Sequence, residues 1–260
     1  MDPILALHGS ASSGGMWRHL QQACLPDRLV LNPDLEGYGR HFDAHSAHQP
    51  DLQHRVSMLL DEVKPMPAFH LVAHSYGGAV ALELIRYHSQ NIKSITLYEP
   101  VLPAIFKGRN TDSDMMLLSD LIALSKIVSG TSERVAMESF MRFWGNPGDW
   151  AALTLESQNR LQRLAPVVYR DFQEAMGQPQ GVYEHICEYQ GPLTILMGGD
   201  GKPHAKRMAE LLLESLPQGQ IQVLHGMGHM GPATHAESVN RAILHHIREA
   251  ERGESLCGSD

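Results

Sequence analysis

A chain of 260 residues with 43% hydrophobic and 19% charged residues can bury a substantial core, as one α/β domain with an insertion or as two small domains. Its formal net charge of −8, with no cluster of lysine or arginine, argues against a nucleic-acid partner, and no apolar run has the length that spans a bilayer. Three scattered cysteines, Cys24, Cys187 and Cys257, give no disulfide framework. Met1-Asp2 leads straight into a strand without the basic and apolar regions of a signal peptide, so the expected location is cytoplasmic.

In chain order, Ile4-Leu5-Ala6-Leu7 reads as a strand that ends in the small-residue loop His8 to Gly15. A helix follows with Trp17, Leu20 and Cys24 on one face, then a strand over Arg28 to Asn32 and a glycine-punctuated loop, Pro33 to Arg40. A polar stretch precedes a helix whose Val56, Leu59, Leu60 and Val63 share one face. Phe69 to Ala73 is a buried strand, Ala79 to His88 a helix, and Ser94 to Tyr98 another strand that ends at Glu99-Pro100. Alternating strands and helices predict a doubly wound, mostly parallel sheet with helices on both faces.

The alternation stops between Val101 and Glu184. Met115 to Val128 and Ala136 to Trp144 have helical periodicity, and the segment holds Phe106, Phe140, Phe143, Trp144, Trp150, Tyr169, Phe172 and Tyr183. Such an insertion would cover the strand ends as a cap or form a second helical core. The sheet resumes at Pro192 to Met197, closed by Gly198-Gly199-Asp200-Gly201. Pro203 starts a helix, Ile221 to Leu224 is the last strand, and Thr234 and Glu237 have capping-box spacing before a final helix with Val239, Ile243 and Ile247 on one side. The expected division is a core over 1–100 and 185–252, a helical cap over 101–184 and a disordered tail over 253–260.

Ser75 stands on the turn between a strand and a helix, with the small residues Ala73 and Gly77 two positions to either side. This is the spacing of a nucleophile elbow, with a helix N-terminus at the hydroxyl. Ligands of a doubly wound sheet bind at the carboxyl ends of its strands. His8-Gly9-Ser10, Ser75, Glu99, Asp200 and His229 all fall at such ends. The order Ser, acid, His differs from that of the chymotrypsin and subtilisin types.

Four motifs in this order and spacing carry a resemblance: Leu7-His8-Gly9-Ser10, Pro33-Asp34-Leu35-Glu36-Gly37-Tyr38-Gly39, Ala73-His74-Ser75-Tyr76-Gly77-Gly78 and Gly226-Met227-Gly228-His229-Met230. Through them the chain resembles the α/β-hydrolase fold family over nearly its full length. The resemblance implies a compact version that lacks the family's two leading antiparallel strands. With serine at the elbow, the chain does not resemble the haloalkane dehalogenase and epoxide hydrolase branches, which use aspartate there.

The roles that follow are Ser75 as nucleophile and His229 as its base, with His225 as the runner-up and Gly228 and Gly231 expected to give the His229 loop mobility. The main-chain N–H groups of Tyr76 and Ser10 would form the oxyanion hole, or that of Ala11 if the loop register differs by one. The acid is Glu99, with Asp200 as the alternative. The family usually places it in a Gly-x-x-Asp turn, and counting from Gly198 lands on Gly201. His74 is expected to pack beneath the elbow. His41, His45 and His48 lack structural zinc spacing, and the glycine-rich loops lack a phosphate-binding pattern, so no metal or cofactor is implied.

The expected activity is hydrolysis of a carboxylic ester or related acyl bond of a small, partly apolar substrate through an acyl-serine. Two alternatives stay open: hydrolysis of a carbon–carbon bond in a diketone-type substrate, and a non-catalytic small-molecule-binding protein on the same fold. The first alternative would need basic residues facing the site, and Arg109, Arg142, Arg160, Arg163 and Arg170 are available.

Overall fold

The structure is a computed structural model, and it describes residues 1–42, 51–63, 66–146, 148–179, 183, 186–216 and 218–257. Among the described residues six strands form one parallel sheet: β1 (Ile4–Leu7), β2 (Val30–Leu31), β3 (Phe69–His74), β4 (Ile92–Tyr98), β5 (Leu193–Gly198) and β6 (Gln220–Leu224). Their order across the sheet is β2-β1-β3-β4-β5-β6. The chain first builds toward one edge and then crosses back at β3, so the order reverses between β1 and β3. That switch point leaves a crevice at the carboxyl ends of these two strands.

Strand alternation explains the two cores. Leu5, Leu7, Leu71, Ala73, Ile95, Leu97 and Ile195 face one side, where α2 (Leu52–Val63), α3 (Tyr76–His88) and α9 (Pro203–Glu214) pack. Ile4, Ala6, Val72, Tyr98 and Leu196 face the other, against α1 (Arg18–Cys24) and α11 (Ala236–Cys257). Strands buried on both faces read as continuous apolar runs, as β1 and β3 do. Truncating one of these core leucines to alanine costs roughly 2–5 kcal/mol.

Between β4 and β5 the described residues contain no strand. They form α4 (Asp112–Gly130), α5 (Glu133–Trp144), α6 (Asp149–Ala152), α7 (Leu155–Gln162) and α8 (Ala165–Gly177). Thr111 caps α4 by accepting from the Asp114 N–H at 3.2 Å, and Thr154 caps α7 from Ser157 at the same distance. A short helix α10 (Gly231–Thr234) follows β6.

Three sequence expectations change. The second strand is only Val30–Leu31, because the Arg28 N–H closes the turn after α1 on the Cys24 carbonyl and Pro33 has no N–H for a ladder. Thr234 and Glu237 form no capping box: the final helix begins at Ala236, the Thr234 hydroxyl lies 3.1 Å from the Met230 carbonyl, and Glu237 pairs with Arg241. The tail is helical as far as Cys257. The Arg28–Glu251 pair at 2.7 Å and buried Ile247 and Ala250 dock this end of α11, which carries the helix past Gly253 at a local cost of about 1 kcal/mol. Residues 258–260 lie outside the described residues.

Candidate active site

The β3–α3 turn holds Ser75 at φ +54° and ψ −124°, a conformation that L-residues rarely adopt. Hydrogen bonds fix it on both sides, from the Ser75 N–H to the Tyr98 carbonyl and from the Val101 N–H to the Ser75 carbonyl. Space is the reason for glycine two residues on, since a Cβ at Gly77 would lie 2.6 Å from the His8 carbonyl oxygen. The turn presents the Ser75 hydroxyl to the His229 ring, Oγ to Nε2, at 2.9 Å. On the far side of the ring, Nδ1–H donates to Glu99 Oε2 at 2.8 Å. All three side chains are buried. With its Nδ1–H on Glu99, the ring turns the Nε2 lone pair toward the Ser75 hydroxyl.

Of the two candidate acids the structure brings only Glu99 to His229. Its second oxygen accepts the Gly198 N–H at 2.9 Å, and its own backbone sits at φ +40°. Asp200 is exposed on the turn after β5, its N–H bonded to the Met227 carbonyl. Gly201, where the counting rule would put an aspartate, is where the Glu99 carboxylate needs room: a Cβ there would lie 2.2 Å from Glu99 Oε1. His225 is exposed and outside the site.

Of the glycines beside His229, Gly231 is packed too closely for a side chain. The Tyr98 hydroxyl donates to the Gly228 carbonyl at 2.8 Å, and a Cβ at Gly231 would lie 2.0 Å from that hydroxyl oxygen. His74 is buried and donates through Nε2 to the His229 carbonyl at 2.8 Å, holding the backbone there. Burial, with His229 beside it, holds its pKa well below the ordinary value. His8 accepts the Leu35 N–H on Nε2 at 2.9 Å and donates from Nδ1 to the Gly9 carbonyl. Burial lowers it to about 4, so it is a neutral strut under the first loop.

Ser75 opens onto a cavity of about 20 Å³, lined by Ser10, Tyr76, Val101, Pro103, Phe140, Trp144, Asp171, Phe172 and Ala175. That space holds about one water. Trp144 of α5 stacks on the His229 ring with centroids 4.6 Å apart and an interplanar angle of 28°. Helices α5 and α8 thus supply most of the wall opposite the sheet. Ser10 and Tyr76 line the cavity, and Ala11 follows Ser10 at φ +56°.

A buried polar network backs this wall, and the sequence reading missed it. Arg55 of α2 bonds Asp171 at 2.8 Å, Glu174 at 2.5 Å and the Glu36 carbonyl at 2.7 Å. The Ser10 and Tyr38 hydroxyls both donate to Asp171 Oδ2 at 2.5 Å, and the Tyr76 hydroxyl donates to Glu174. Burial pushes the Asp171 carboxyl up to about 6 against the pull of Arg55. Burial also pulls the Arg55 pKa down, but Tyr76, Asp171 and Glu174 more than reverse that. The available signals were an arginine in an otherwise apolar helix face and carboxylates three residues apart on another.

None of the five arginines proposed for a substrate carboxylate lines the cavity. Arg109 pairs with Glu214, Arg142 with Glu138, and Arg170 with Glu36 and Glu174; Arg163 lies over the Phe42 ring, and Arg160 is exposed. Among the described residues no three His, Cys, Asp or Glu side chains converge as a metal site requires. His45 and His48 lie outside the described residues. Nor, among the described residues, is any helix long and apolar enough to cross a membrane.

The pattern described as the alpha/beta hydrolase family matches residues 4–242. The chain is 24% identical over 257 residues to the dihydrolipoyllysine-residue acetyltransferase component of the acetoin cleaving system of Pseudomonas putida, covering 95% of this chain and 64% of that protein. It is 24% identical over 198 residues to a haloalkane dehalogenase of Agrobacterium fabrum, covering 76% and 60%. It therefore spans less than two thirds of either relative. The second match also corrects the expectation that the dehalogenase branch is dissimilar; the correction concerns overall sequence, because the elbow residue here is Ser75. An esterase structure from Exiguobacterium antarcticum superposes with a TM-score of 0.74 at 17% identity, covering 95% of this chain and 92% of that one. The chain belongs to the alpha/beta hydrolase family.

Proposed function

We propose that this protein is a serine hydrolase that cleaves the acyl bond of a small, partly apolar carboxylic ester. The observation that carries the reading is the buried hydrogen-bond chain from Ser75 through His229 to Glu99 at 2.9 and 2.8 Å, opening onto an apolar cavity. Ser75 Oγ attacks the carbonyl carbon while its proton passes to His229 Nε2, and Glu99 stabilises the imidazolium. The carbonyl oxygen, now an anion, accepts from the main-chain N–H groups of Ser10 and Tyr76. Collapse expels the alkoxide, which takes the proton from His229. A water, deprotonated by the same histidine, then attacks the acyl-serine and releases the acid and free Ser75.

The helical segment between β4 and β5 acts as a cap: Phe140, Trp144 and Phe172 hold the apolar part of the substrate and exclude bulk water. The charge on the cavity wall favours an ester over a diketone-type acid, because the ionisable group there is Asp171 and not an arginine. A carboxylate beside Asp171 would meet like charge without a cation of its own.

Intact-mass analysis after exposure to a fluorophosphonate tests the reading, with Ser75→Ala as the control. One adduct that vanishes in the control supports an activated serine, and p-nitrophenyl esters then rank the acyl groups. Absence of an adduct on folded protein would replace the hydrolase with a binding protein.

A further inference from the structure

The two residues assigned to the oxyanion hole come from opposite sides of the switch point, Ser10 after β1 and Tyr76 at the start of α3. Both send their hydroxyls to one helix, α8: Ser10 to Asp171 and Tyr76 to Glu174. The carboxylates are three residues apart, hence on one face. Arg55 bridges them from α2. Asp171 Oδ2 also accepts from the Tyr38 hydroxyl at 2.5 Å, so the Pro33 to Arg40 loop is tied to the same carboxylate as Ser10.

From this arrangement we infer that Asp171 and Glu174, crosslinked by Arg55, are positioning residues for the oxyanion hole. The inference rests on the serine-hydrolase reading above. A hole stabilises an oxyanion only if both N–H groups stand at hydrogen-bond distance from a point the anion will occupy, and displacement by about an ångström forfeits most of the effect. Main-chain donors on separate elements have no direct covalent constraint on their spacing. Here α8 supplies a non-covalent one, by holding the hydroxyls of both donor residues on two carboxylates that a single rigid guanidinium bridges. Seating of α8 over the site and assembly of the hole are therefore one event.

The test uses single-atom deletions that leave every charge in place, Ser10→Ala and Tyr76→Phe, together with Asp171→Asn, Glu174→Gln and the double variant Ser10→Ala/Tyr76→Phe. Two quantities are read for each: kcat and KM for p-nitrophenyl acetate, and the inhibition constant of an alkyl trifluoromethyl ketone, whose serine adduct carries the oxyanion. The positioning role requires kcat to fall roughly 10- to 100-fold with KM nearly unchanged, and ketone affinity to fall in parallel. A purely structural role would lower the melting temperature and leave both ratios alone. Wild-type-like kcat and ketone affinity in Ser10→Ala and Tyr76→Phe would overturn the positioning role while leaving the hydrolase intact. Failure of the wild-type protein itself to form the ketone adduct would instead overturn the hydrolase reading, and the positioning role with it.

Discussion

The Glu99 carboxylate takes the His229 Nδ1–H at 2.8 Å while occupying the space beside Gly201, on the turn after β5. An acid arriving from β4 thereby fills the volume that a side chain at position 201 would otherwise use. The absence of a side chain at 201 and the presence of glutamate at 99 are two halves of one solution. A glutamate is needed because it reaches about one methylene further than aspartate from a strand more distant from the histidine.

Expected outcomes follow for the ester reaction. Glu99→Gln should lower kcat by about 10²- to 10⁴-fold, as loss of the carboxylate that orients and balances the histidine does elsewhere, while Asp200→Asn stays within about threefold because its side chain is exposed. Gly201→Ala should also lower kcat, since its methyl would displace Glu99. The decisive comparison is Glu99→Gly against Glu99→Gly/Gly201→Asp. Recovery of kcat by at least about tenfold in the double variant supports the exchange of acid positions, and no recovery refutes it.

How far the sequence alone reached depended on the range of the interactions. The elbow, the strand ends and the long helices were legible because each is written in local spacing: Ala73 and Gly77 around Ser75, or the apolar periodicity of Ala136 to Trp144. The choice between Glu99 and Asp200 reached only a preference for Glu99, because the close approach of the Glu99 carboxylate to Gly201 joins residues 102 positions apart. The packing reason for Gly231 was out of reach for a similar reason, because it depends on the Tyr98 hydroxyl from a distant strand. Arg55, Asp171 and Glu174 come from two helices 116 to 119 residues apart. Nothing local marks them as partners, since isolated charges on helices are ordinarily solvated.

Trp144 covers the imidazole and closes the cavity. With only about 20 Å³ free, the wild-type site should prefer acetyl over longer acyl groups. Trp144→Ala should open on the order of 100 Å³ if the neighbours do not collapse. The ratio of kcat/KM for hexanoyl over acetyl p-nitrophenyl esters should then rise about tenfold or more, at about 1–3 kcal/mol for a few methylenes finding room. An unchanged ratio would mean that the acyl chain lies elsewhere.

Arg55 balances two buried carboxylates, so removing it strands charge. Arg55→Met should destabilise the fold by about 3–5 kcal/mol in urea titrations, softened by Arg170, which lies 3.5 Å from Glu174. Arg55→Lys should recover only part of this, because one ammonium cannot span Asp171, Glu174 and the Glu36 carbonyl together. A stability loss under about 1 kcal/mol for Arg55→Met would show that the network is solvated in solution.

Stability should fall on mild acidification, and the buried histidines set the sign. Burial lowers His246 to about 4, and His8 likewise, so the unfolded chain binds their protons more readily than the fold does. Their contribution is whole above pH 6.5 and is lost as pH falls toward 4. Asp171 works in the opposite direction: raised to about 6, it adds stability below about pH 4 that disappears as pH rises through 6. His246 lies on α11 with Nδ1 2.8 Å from the Thr96 hydroxyl, away from Ser75, which makes it the clean probe. His246→Asn keeps a polar atom near Thr96 and removes the titration. Between pH 7.5 and 4.5 the loss of unfolding free energy should be smaller in this variant than in the wild type by about 2–3 kcal/mol. Parallel pH dependences would mean that His246 takes up its proton inside the fold as easily as in water.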